Sequence, residues 1–289
     1  MYGVLAFWGQ SGNITWHAAF SHCLQGYAFM EDLDQFLEIA HKLADAARPV
    51  VRKYYRTPVA VDVKADDSPV TIADREVERT MRDILGKELP DHGILGEEYG
   101  RENVDAEYVW VLDPIDGTKS FISGKPSFAT LIALCHRGKP VLGIIDQAIT
   151  EERWVGMMGK ASTMNGKEIS ARECEDLKSA TFFTTAPELF RDDAKKAYDA
   201  VSTQCRVPMY GVDAYAYGLT ALGLADTVVE IGLQAYDFCA LVPVVEGAGG
   251  VMSDWSGKEL TIDSDGAVIA SGDARCHQDV LETIKAAMG

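Results

Sequence analysis

The stretch WVLDPIDGTKSF, residues 110–121, places two carboxylates and a proline at the end of an apolar run. Asp113 and Asp116 stand three residues apart, and Gly117 and Thr118 follow at once. Asp, Pro and Gly are common turn formers, so the stretch predicts a sharp turn between a buried strand and a short helix. The same residues also offer the oxygen ligands that hard divalent cations prefer. The rest of the sequence has to distinguish a simple turn from the floor of a metal site.

The composition is that of a globular protein with excess negative charge. With 289 residues, 47% of them hydrophobic, the chain can bury a sizeable core. A balance of 27 basic against 44 acidic residues gives −17, which argues against nucleic acid or an anionic membrane as a partner. No stretch approaches the roughly 18 apolar residues of a membrane span. The six cysteines are scattered without metal-ligand spacing, which favours reduced thiols and a cytoplasmic location.

The apolar pattern predicts two halves that pack as one catalytic unit. Residues 1–29 are aromatic-rich, lack Lys and Arg, and are interpreted as an N-terminal extension or tag of unknown role. Residues 30–178, the predicted metal-binding half, combine two helices, the first from Asp32 to about Tyr55, with strands joined by tight turns that imply an antiparallel sheet. Residues 179–289 alternate short strands with helices, as in an α/β half, and would carry substrate specificity. The expected fold is an α+β / α/β layered sandwich.

Further acidic residues stand where strands or turns end. They are Asp74, Glu97 and Asp237, which join Asp113 and Asp116. Each also has an ordinary structural explanation. Asp74 would favour the first turn of a helix, Asp237 could be a helix N-cap, and Glu97 could lie in a solvated turn. Together they would supply the few carboxylates through which Mg²⁺ is usually held beside waters and a substrate phosphate. The combination predicts metal-assisted hydrolysis of a phosphate ester.

The residues around the two aspartates strengthen this prediction. Pro114 fixes the chain so that the carbonyl of Ile115 can point the same way as the carboxylates. Gly117 and Thr118 begin a short helix whose free N–H groups can hold a phosphate. The hydroxyl of Thr118 then stands beside the metals, where a water would be deprotonated.

Three motifs resemble those of the inositol monophosphatase superfamily, a group of Mg²⁺-dependent, lithium-sensitive phosphomonoesterases. They are GEE at 96–98, DPIDGT at 113–118, and the later YD at 236–237 with EGAGG at 246–250. They occur in the family's order, and the resemblance runs from about Glu31 to the C terminus. It implies an αβαβα sandwich, two or three Mg²⁺ ions and a homodimer.

The resemblance also implies a set of metal ligands. Glu97, Asp113 and the carbonyl of Ile115 would hold the first ion. Asp113, Asp116 and Asp237 would hold the second, and Glu97 lies near a third, looser one.

The same resemblance implies the catalytic residues. Gly117 and Thr118 match the amides that cradle the phosphate, and Thr118 with Asp74 matches the pair that orients and deprotonates the attacking water. Lys64 matches a lysine at the rim of the metal site. The implied mechanism is one in-line displacement by metal-activated water, without a phospho-enzyme intermediate.

The second half resembles histidinol-phosphate phosphatases more than the inositol branch, and a Tyr-Asp pair replaces the Trp-Asp usual in inositol enzymes. Glu230 matches a carboxylate that contacts the alcohol, and would suit a substrate carrying an ammonium and an imidazole. Asp213 is a second acidic candidate, with a helix cap as its alternative role. Thr184 and Thr185 would line the same wall.

The leading hypothesis is therefore a phosphatase of L-histidinol phosphate, acting in histidine biosynthesis on a small phosphate monoester. An inositol-1-phosphatase or a broad sugar-phosphate phosphatase would use the same machinery. A non-catalytic metal-binding or phosphate-binding regulator is the hypothesis from another class. The intact set of acidic residues argues against it.

Overall fold

The computed structural model describes residues 15–58, 60–63 and 69–289, and the chain divides into two compact units at Ile39 and Ala40. Helix α1 (Thr15–Tyr54) begins in the first unit and ends in the second. It begins well before the predicted start at Asp32, because residues 15–31 contain no proline and one glycine to interrupt a helix. Residues 1–14 of the predicted extension lie outside the described residues.

All other described elements belong to the second unit. Seven helices follow α1 in the described residues: α2 (Ile72–Glu88), α3 (Thr118–Ile122), α4 (Asp192–Ser202), α5 (Tyr215–Ala221), α6 (Ala235–Phe238), α7 (Leu241–Gly247) and α8 (Ala274–Met288). Within the described ranges, each helix is too short or too polar to span a lipid bilayer.

An eight-stranded sheet has the order β10-β9-β8-β7-β6-β5-β3-β4. Its pairs are antiparallel except β3 with β5, and tight turns at Arg137-Gly138 and Asn165-Gly166 close two of its hairpins, as predicted. The strands are β3 (Gly93–Gly96), β4 (Gly100–Glu102), β5 (Tyr108–Asp116), β6 (Ala129–His136), β7 (Lys139–Gln147), β8 (Glu152–Met157), β9 (Thr163–Met164) and β10 (Lys167–Glu168). A separate hairpin joins β1 (Val61–Val63) and β2 (Pro69–Thr71).

A second, mixed sheet of five strands has the order β12-β11-β13-β15-β14. Strands β12, β11 and β13 run parallel, β15 runs antiparallel to β13, and β14 runs antiparallel to β15. Parallel neighbours need crossover connections, which α4 and α5 supply. The strands are β11 (Thr181–Thr184), β12 (Val207–Tyr210), β13 (Thr227–Glu230), β14 (Val251–Asp254) and β15 (Val268–Ser271).

The two sheets alternate with helices in five layers, which confirms the expected sandwich. Arg48 of α1 donates to Asp146 of β7 (2.8 Å), and α2 contacts β5, so both helices cover the large sheet on one face. One hydrophobic core joins α5, α6 and α7 to both sheets, and another joins α4 and α8 to the far face of the small sheet. Val228 and Val229 of β13 face different cores because successive strand residues point to opposite sides.

Candidate active site

Strand β5 carries Asp113 and Asp116, and its end differs from the predicted turn in one respect. The strand does not turn at Asp113 but continues to Asp116. Asp113 pairs with Leu131 and Asp116 with Ala129, so β5 contains one residue more than β6 between the two pairs. This is a β-bulge, which re-aims side chains without ending the strand. The chain turns only at Gly117, whose φ of 80° leads into α3.

The bulge and α6 together assemble a carboxylate cluster. Oxygen atoms of Asp113, Asp116 and Asp237 all lie within 4.8 Å of one another, close enough to share a metal ion. Asp237 is the third residue of α6, where its Oδ2 accepts the backbone N–H of Gln234 (2.6 Å). Asp237 therefore caps α6 as predicted, but it does so from position N3, and the N-cap residue itself is Gln234.

Backbone groups orient the two aspartates of β5. The N–H of Ile115 donates to Oδ1 of Asp113 (3.0 Å), and the N–H of Ala214 donates to Oδ2 of Asp116 (2.7 Å). Ala214 immediately precedes α5, so the second contact ties the metal-binding strand to the predicted specificity half. The carboxylates are thus held in place before any ligand arrives, which is the preorganisation that a metal site needs.

The electrostatics of the cluster fit a divalent cation. Burial raises the pKa of Asp113 well above its usual range, and the charges of Glu97, Asp116 and Asp237 and a hydrogen bond with Glu97 raise it further. Burial, then Asp213 and Asp237, likewise raise the pKa of Asp116, although the N–H of Ala214 opposes this. Repulsion of this kind is relieved either by protons or by a cation. The all-oxygen donor set matches Mg²⁺.

Asp74 is both a helix cap and a candidate base. Its Oδ2 accepts from the backbone N–H (2.8 Å) and the hydroxyl (2.6 Å) of Thr71, so the predicted structural role in α2 is present. Its Oδ1 is buried and has no hydrogen-bond partner among the described residues. Burial raises the pKa of Asp74. The hydrogen bonds from Thr71 lower this pKa, and the charge of Glu97 raises it. An unsatisfied buried oxygen is costly unless a ligand or water completes it.

Thr118 and Asp74 are not joined by a hydrogen bond in the described part of the chain. The Thr118 hydroxyl donates instead to the carbonyl of Ile115 (3.2 Å). A carbonyl oxygen has two lone pairs, so this contact leaves Ile115 able to bind a metal as well. Lys64, the remaining predicted catalytic residue, lies outside the described residues.

Glu230 ends β13 and is almost fully buried. Its carboxylate accepts from the hydroxyl of Thr184 (3.2 Å) and the backbone N–H of Thr185. Burial raises the pKa of Glu230 to about 7; the two threonines lower it and Asp213 adds to the rise. The threonines therefore lie next to Glu230 as predicted, and they support its carboxylate.

Asp213 does not cap α5, which was the alternative explanation for it. The residue before α5 is Ala214, which has no side-chain cap. Asp213 has a φ of 48°, a conformation that is uncommon outside glycine, and its Oδ2 accepts from the hydroxyl of Ser120 in α3 (2.7 Å). Burial raises its pKa, while the Ser120 hydrogen bond and the charges of Lys125 and Lys119 lower it. Asp213 thus stands beside the predicted phosphate loop.

From sequence alone, an aromatic residue such as Tyr217 is expected in the core or at an interface and not as a substrate platform. The side chain is buried, and its oxygen has no hydrogen-bond partner within the described ranges. Burial, followed by the charges of Glu230, Asp116 and Asp237, raises its pKa well above the usual range. No local pattern reveals this placement, because Glu230, Asp116 and Asp237 lie on other elements and only the fold brings them near α5.

The stability of the metal-free protein should fall as the pH rises from 5 to 8, because of Glu230. The folded pKa of Glu230, about 7, exceeds the roughly 4.3 of an unfolded glutamate, so the folded state binds more protons. The free energy by which Glu230 stabilises the folded state is therefore fully present below about pH 4.3 and is lost as the pH rises through 7. In EDTA we expect Tm to fall by roughly 5–10 °C between pH 5 and pH 8. Millimolar Mg²⁺ should raise the Tm at pH 8 by a separate route, because it binds the aspartates of the folded state and not the unfolded chain. A Tm that rises over this pH range in EDTA would contradict the electrostatics.

Gly117→Ala should impair both stability and activity. The glycine has a φ of 80°, and a Cβ there would lie 2.7 Å from Oδ2 of Asp213. Backbone strain and the clash should together lower the free energy of unfolding by about 1–3 kcal/mol. They should also displace α3 and so lower kcat/KM at least about tenfold. Gly166→Ala is the matched control, because Gly166 has a φ of 75° but open space around its Cβ. It should lower Tm and leave kcat/KM unchanged; equal kinetic losses in both variants would contradict this role of Gly117.

Comparison with known proteins gives a consistent result. The sequence profile of the "Inositol monophosphatase family" matches residues 32–288. A chain of Arabidopsis thaliana named "Bifunctional phosphatase IMPL2, chloroplastic" is 50% identical over 263 residues, covering 88% of this chain and 76% of the relative. A "Histidinol-phosphatase" of Mycobacterium tuberculosis is 33% identical, with 86% of this chain and 98% of the relative covered.

Solved structures resemble the fold as well. One described as an inositol monophosphatase from Zymomonas mobilis superposes with a TM-score of 0.81 at 48% identity, covering 87% of this chain and 98% of the other. An inositol monophosphatase from Anabaena (Nostoc) has a TM-score of 0.76 at 26% identity, with 88% and 97% covered.

Proposed function

The chain belongs to the inositol monophosphatase family and is a phosphatase, and we propose that it is a Mg²⁺-dependent phosphatase of L-histidinol phosphate. The products would be L-histidinol and inorganic phosphate, a step of histidine biosynthesis. The proposal has two parts, a metal centre that hydrolyses the ester and an acidic wall that selects the alcohol.

The acidic wall is the observation that carries the choice of substrate. Glu230 and Asp213 are both carboxylates of the second half, and the charge of Asp213 raises the pKa of Glu230, so the two lie within electrostatic reach of each other. Glu230 is buried and Asp213 is half-buried, and two such neighbouring acids repel each other unless a cation or a proton stands between them. L-Histidinol phosphate brings an ammonium and an imidazole to this wall, whereas inositol phosphate brings only hydroxyl groups. A cationic alcohol therefore fits the wall better.

The chain's own residues divide the chemical work. Asp113, Asp116 and Asp237 would hold two or three Mg²⁺ ions together with Glu97 and the carbonyl of Ile115. When bound, Mg²⁺ would acidify a water molecule and offset the charge of the phosphate.

The remaining groups of the site would move the proton and position the ester. Asp74 would accept the proton of the attacking water at its Oδ1, the oxygen that has no partner among the described residues. Gly117 and Thr118 would place the phosphate through their backbone N–H groups, since the first N–H groups of a helix lack intrahelical acceptors. Glu230 and Asp213 would then hold the ammonium end.

Inositol-1-phosphate is the second candidate substrate. It is favoured by the 48% identity to the Zymomonas mobilis chain, which is described as an inositol monophosphatase. The names of the relatives support both alternatives, because the Mycobacterium tuberculosis protein is named a histidinol-phosphatase. The acidic wall favours histidinol phosphate of the two.

Steady-state phosphate release tests the proposal. The two phosphomonoesters should be compared at saturating Mg²⁺, with EDTA as the blank. We expect kcat/KM for L-histidinol phosphate to exceed that for inositol-1-phosphate by at least about tenfold, the equivalent of one charge-assisted hydrogen bond. Faster turnover of inositol-1-phosphate would transfer the assignment to that substrate. Absence of Mg²⁺-dependent hydrolysis of any phosphomonoester would support the regulator hypothesis.

A homodimer remains part of the proposal. Strand β12 lies at the edge of the five-stranded sheet, and its Val207, Met209 and Tyr210 are 39–46% exposed. Natural proteins usually cover an apolar edge strand, and a second copy of the chain could cover this one. Light scattering that gave the mass of one chain would overturn it. The cytoplasmic location stays a prediction from the cysteines, and the Arabidopsis relative is named chloroplastic.

A further inference from the structure

Helix α2 presents a line of charged residues to the turn that carries Glu97. Asp74, Glu78 and Arg82 are spaced four apart, and such residues lie on one face of a helix. Asp74 and Glu97 influence each other electrostatically at one end of this line. In the local sequence, Glu78 and Arg82 resemble other charged residues of an amphipathic helix.

Glu78 is fully buried, and its carboxylate holds the turn by the backbone. Its Oε2 accepts the N–H of Glu98 (2.7 Å), and its Oε1 accepts the N–H of Tyr99 (3.2 Å). A Cβ on Gly96 would lie 2.0 Å from Oε1 of Glu78, so only glycine allows this approach. One carboxylate therefore holds the two residues that follow Glu97 and lies close against Gly96, which precedes it.

Arg82 completes the contact from the next turn of the helix. Its Nε donates to Oε1 of Glu78 (2.8 Å), and its Nη2 donates to the carbonyl of Gly100 (2.5 Å). A buried carboxylate is stable only when it is paired and hydrogen-bonded, and this one is. The guanidinium thus neutralises Glu78 and holds the far end of the same turn.

We propose that the Glu78–Arg82 pair is a positioning device for Glu97, holding the 96–100 turn so that the Glu97 carboxylate faces Asp113. The backbone N–H of Glu97 donates to the carbonyl of Leu112 (3.2 Å), the residue before Asp113, and the charge of Glu97 acts on Asp113, so a shift of the turn would move the two carboxylates apart. The inference rests on the proposed function, in which Glu97 is a metal ligand. Groups that orient metal ligands typically influence metal affinity by 10–100-fold when they are removed.

Glu78→Gln tests this inference through metal binding and not through activity alone. The substitution keeps the shape of the side chain, but one backbone N–H then faces an amide NH₂ in place of an oxygen. Calorimetric titration with Mn²⁺ should show affinity about 10–100-fold weaker than in the wild type. The Mg²⁺ concentration for half-maximal phosphatase activity should rise by the same factor. At saturating Mg²⁺, kcat should stay within about threefold of the wild type.

Asp226→Asn is the matched control. Asp226 is also buried, accepts a backbone N–H, that of Thr181, and pairs with Arg172. It should lose stability as Glu78→Gln does and bind Mn²⁺ with wild-type affinity. If Glu78→Gln does not fold, Gly96→Ala makes the same test, because its Cβ displaces the Glu78 carboxylate without changing a charge.

The possible outcomes distinguish a failure of the positioning role of Glu78 from a failure of the proposed function. Wild-type Mn²⁺ affinity in the folded Glu78→Gln variant would overturn the positioning role and leave the proposed function intact. Equal losses of affinity in the Glu78 and Asp226 variants would also overturn it, because general destabilisation would then be the cause. A wild-type protein that binds no divalent metal would overturn the proposed function and this inference together.

Discussion

Asp113→Asn is expected to abolish nearly all Mg²⁺-dependent phosphatase activity while it raises the Tm of the metal-free protein. The residue is common to both implied metal positions, so its loss should lower kcat/KM by about 10³-fold or more, some 4 kcal/mol of transition-state stabilisation. The stability effect has the opposite sign because burial and the charges of Glu97, Asp116 and Asp237 destabilise the ionised carboxylate. A neutral amide removes that repulsion and can still accept the N–H of Ile115.

Asp226→Asn is again the appropriate control, measured by the same thermal melts in EDTA. Its carboxylate is paired with Arg172, so removing the charge leaves a cation without its partner and should lower Tm. Opposite shifts in the two variants would show that the β5 cluster is a site of unrelieved repulsion. An Asp113→Asn protein that kept more than about a tenth of wild-type activity would contradict the metal-ligand role.

Glu230→Gln is expected to change substrate selectivity more than general activity. Loss of a charge-assisted hydrogen bond costs about 1.5–3 kcal/mol, so kcat/KM for L-histidinol phosphate should fall by about 10–150-fold. Hydrolysis of inositol-1-phosphate should change by less than about threefold, because a glutamine still offers an oxygen to a hydroxyl group. The neutral substrate is thus an internal control for folding and for the metal centre.

The kinetic pattern distinguishes this role from a structural one. Thr184 and Thr185 hold the Glu230 carboxylate, so a purely structural carboxylate would lose both activities together and lower Tm. Equal losses on the two substrates would therefore contradict the selectivity role. A fall in kcat/KM for L-histidinol phosphate alone would support the selectivity role. Asp213→Asn should then give the same kinetic pattern.

Much of this arrangement could be predicted from local sequence. The family is confirmed by the profile match over residues 32–288, and the five-layer fold is confirmed as well. The hairpins at 137–138 and 165–166 followed from their glycines, because a tight turn needs positive φ. The acidic cluster followed from the end of β5, where carboxylates succeed a buried run.

The errors have specific physical causes. The bulge in β5 depends on its pairing with β6, and a turn signal such as Asp-Pro does not reveal how the neighbouring strand is aligned. The early start of α1 was overlooked because residues 15–31 are rich in aromatics and lack a clear apolar period.

Other roles depended on tertiary contacts that the sequence does not contain. The helix cap that was one expectation for Asp213 is absent, and the side chain that bonds to it, Ser120, is 93 residues away. Glu78 was indistinguishable from any surface glutamate of an amphipathic helix, because its burial comes from the 96–100 turn folding over it. Tyr217 was expected in the core or at an interface, where an aromatic on a helix usually packs, and only the fold brings acids near its hydroxyl.

A crystal structure with Mn²⁺, L-histidinol and phosphate would test the central claim most directly. The account predicts anomalous Mn²⁺ peaks bound by Asp113, Asp116 and Asp237, with phosphate at Gly117 and Thr118. It also predicts the ammonium group of histidinol within about 3.2 Å of a Glu230 or Asp213 carboxylate. Metal bound away from the three aspartates, or histidinol seated with its ammonium turned from both acids, would contradict it.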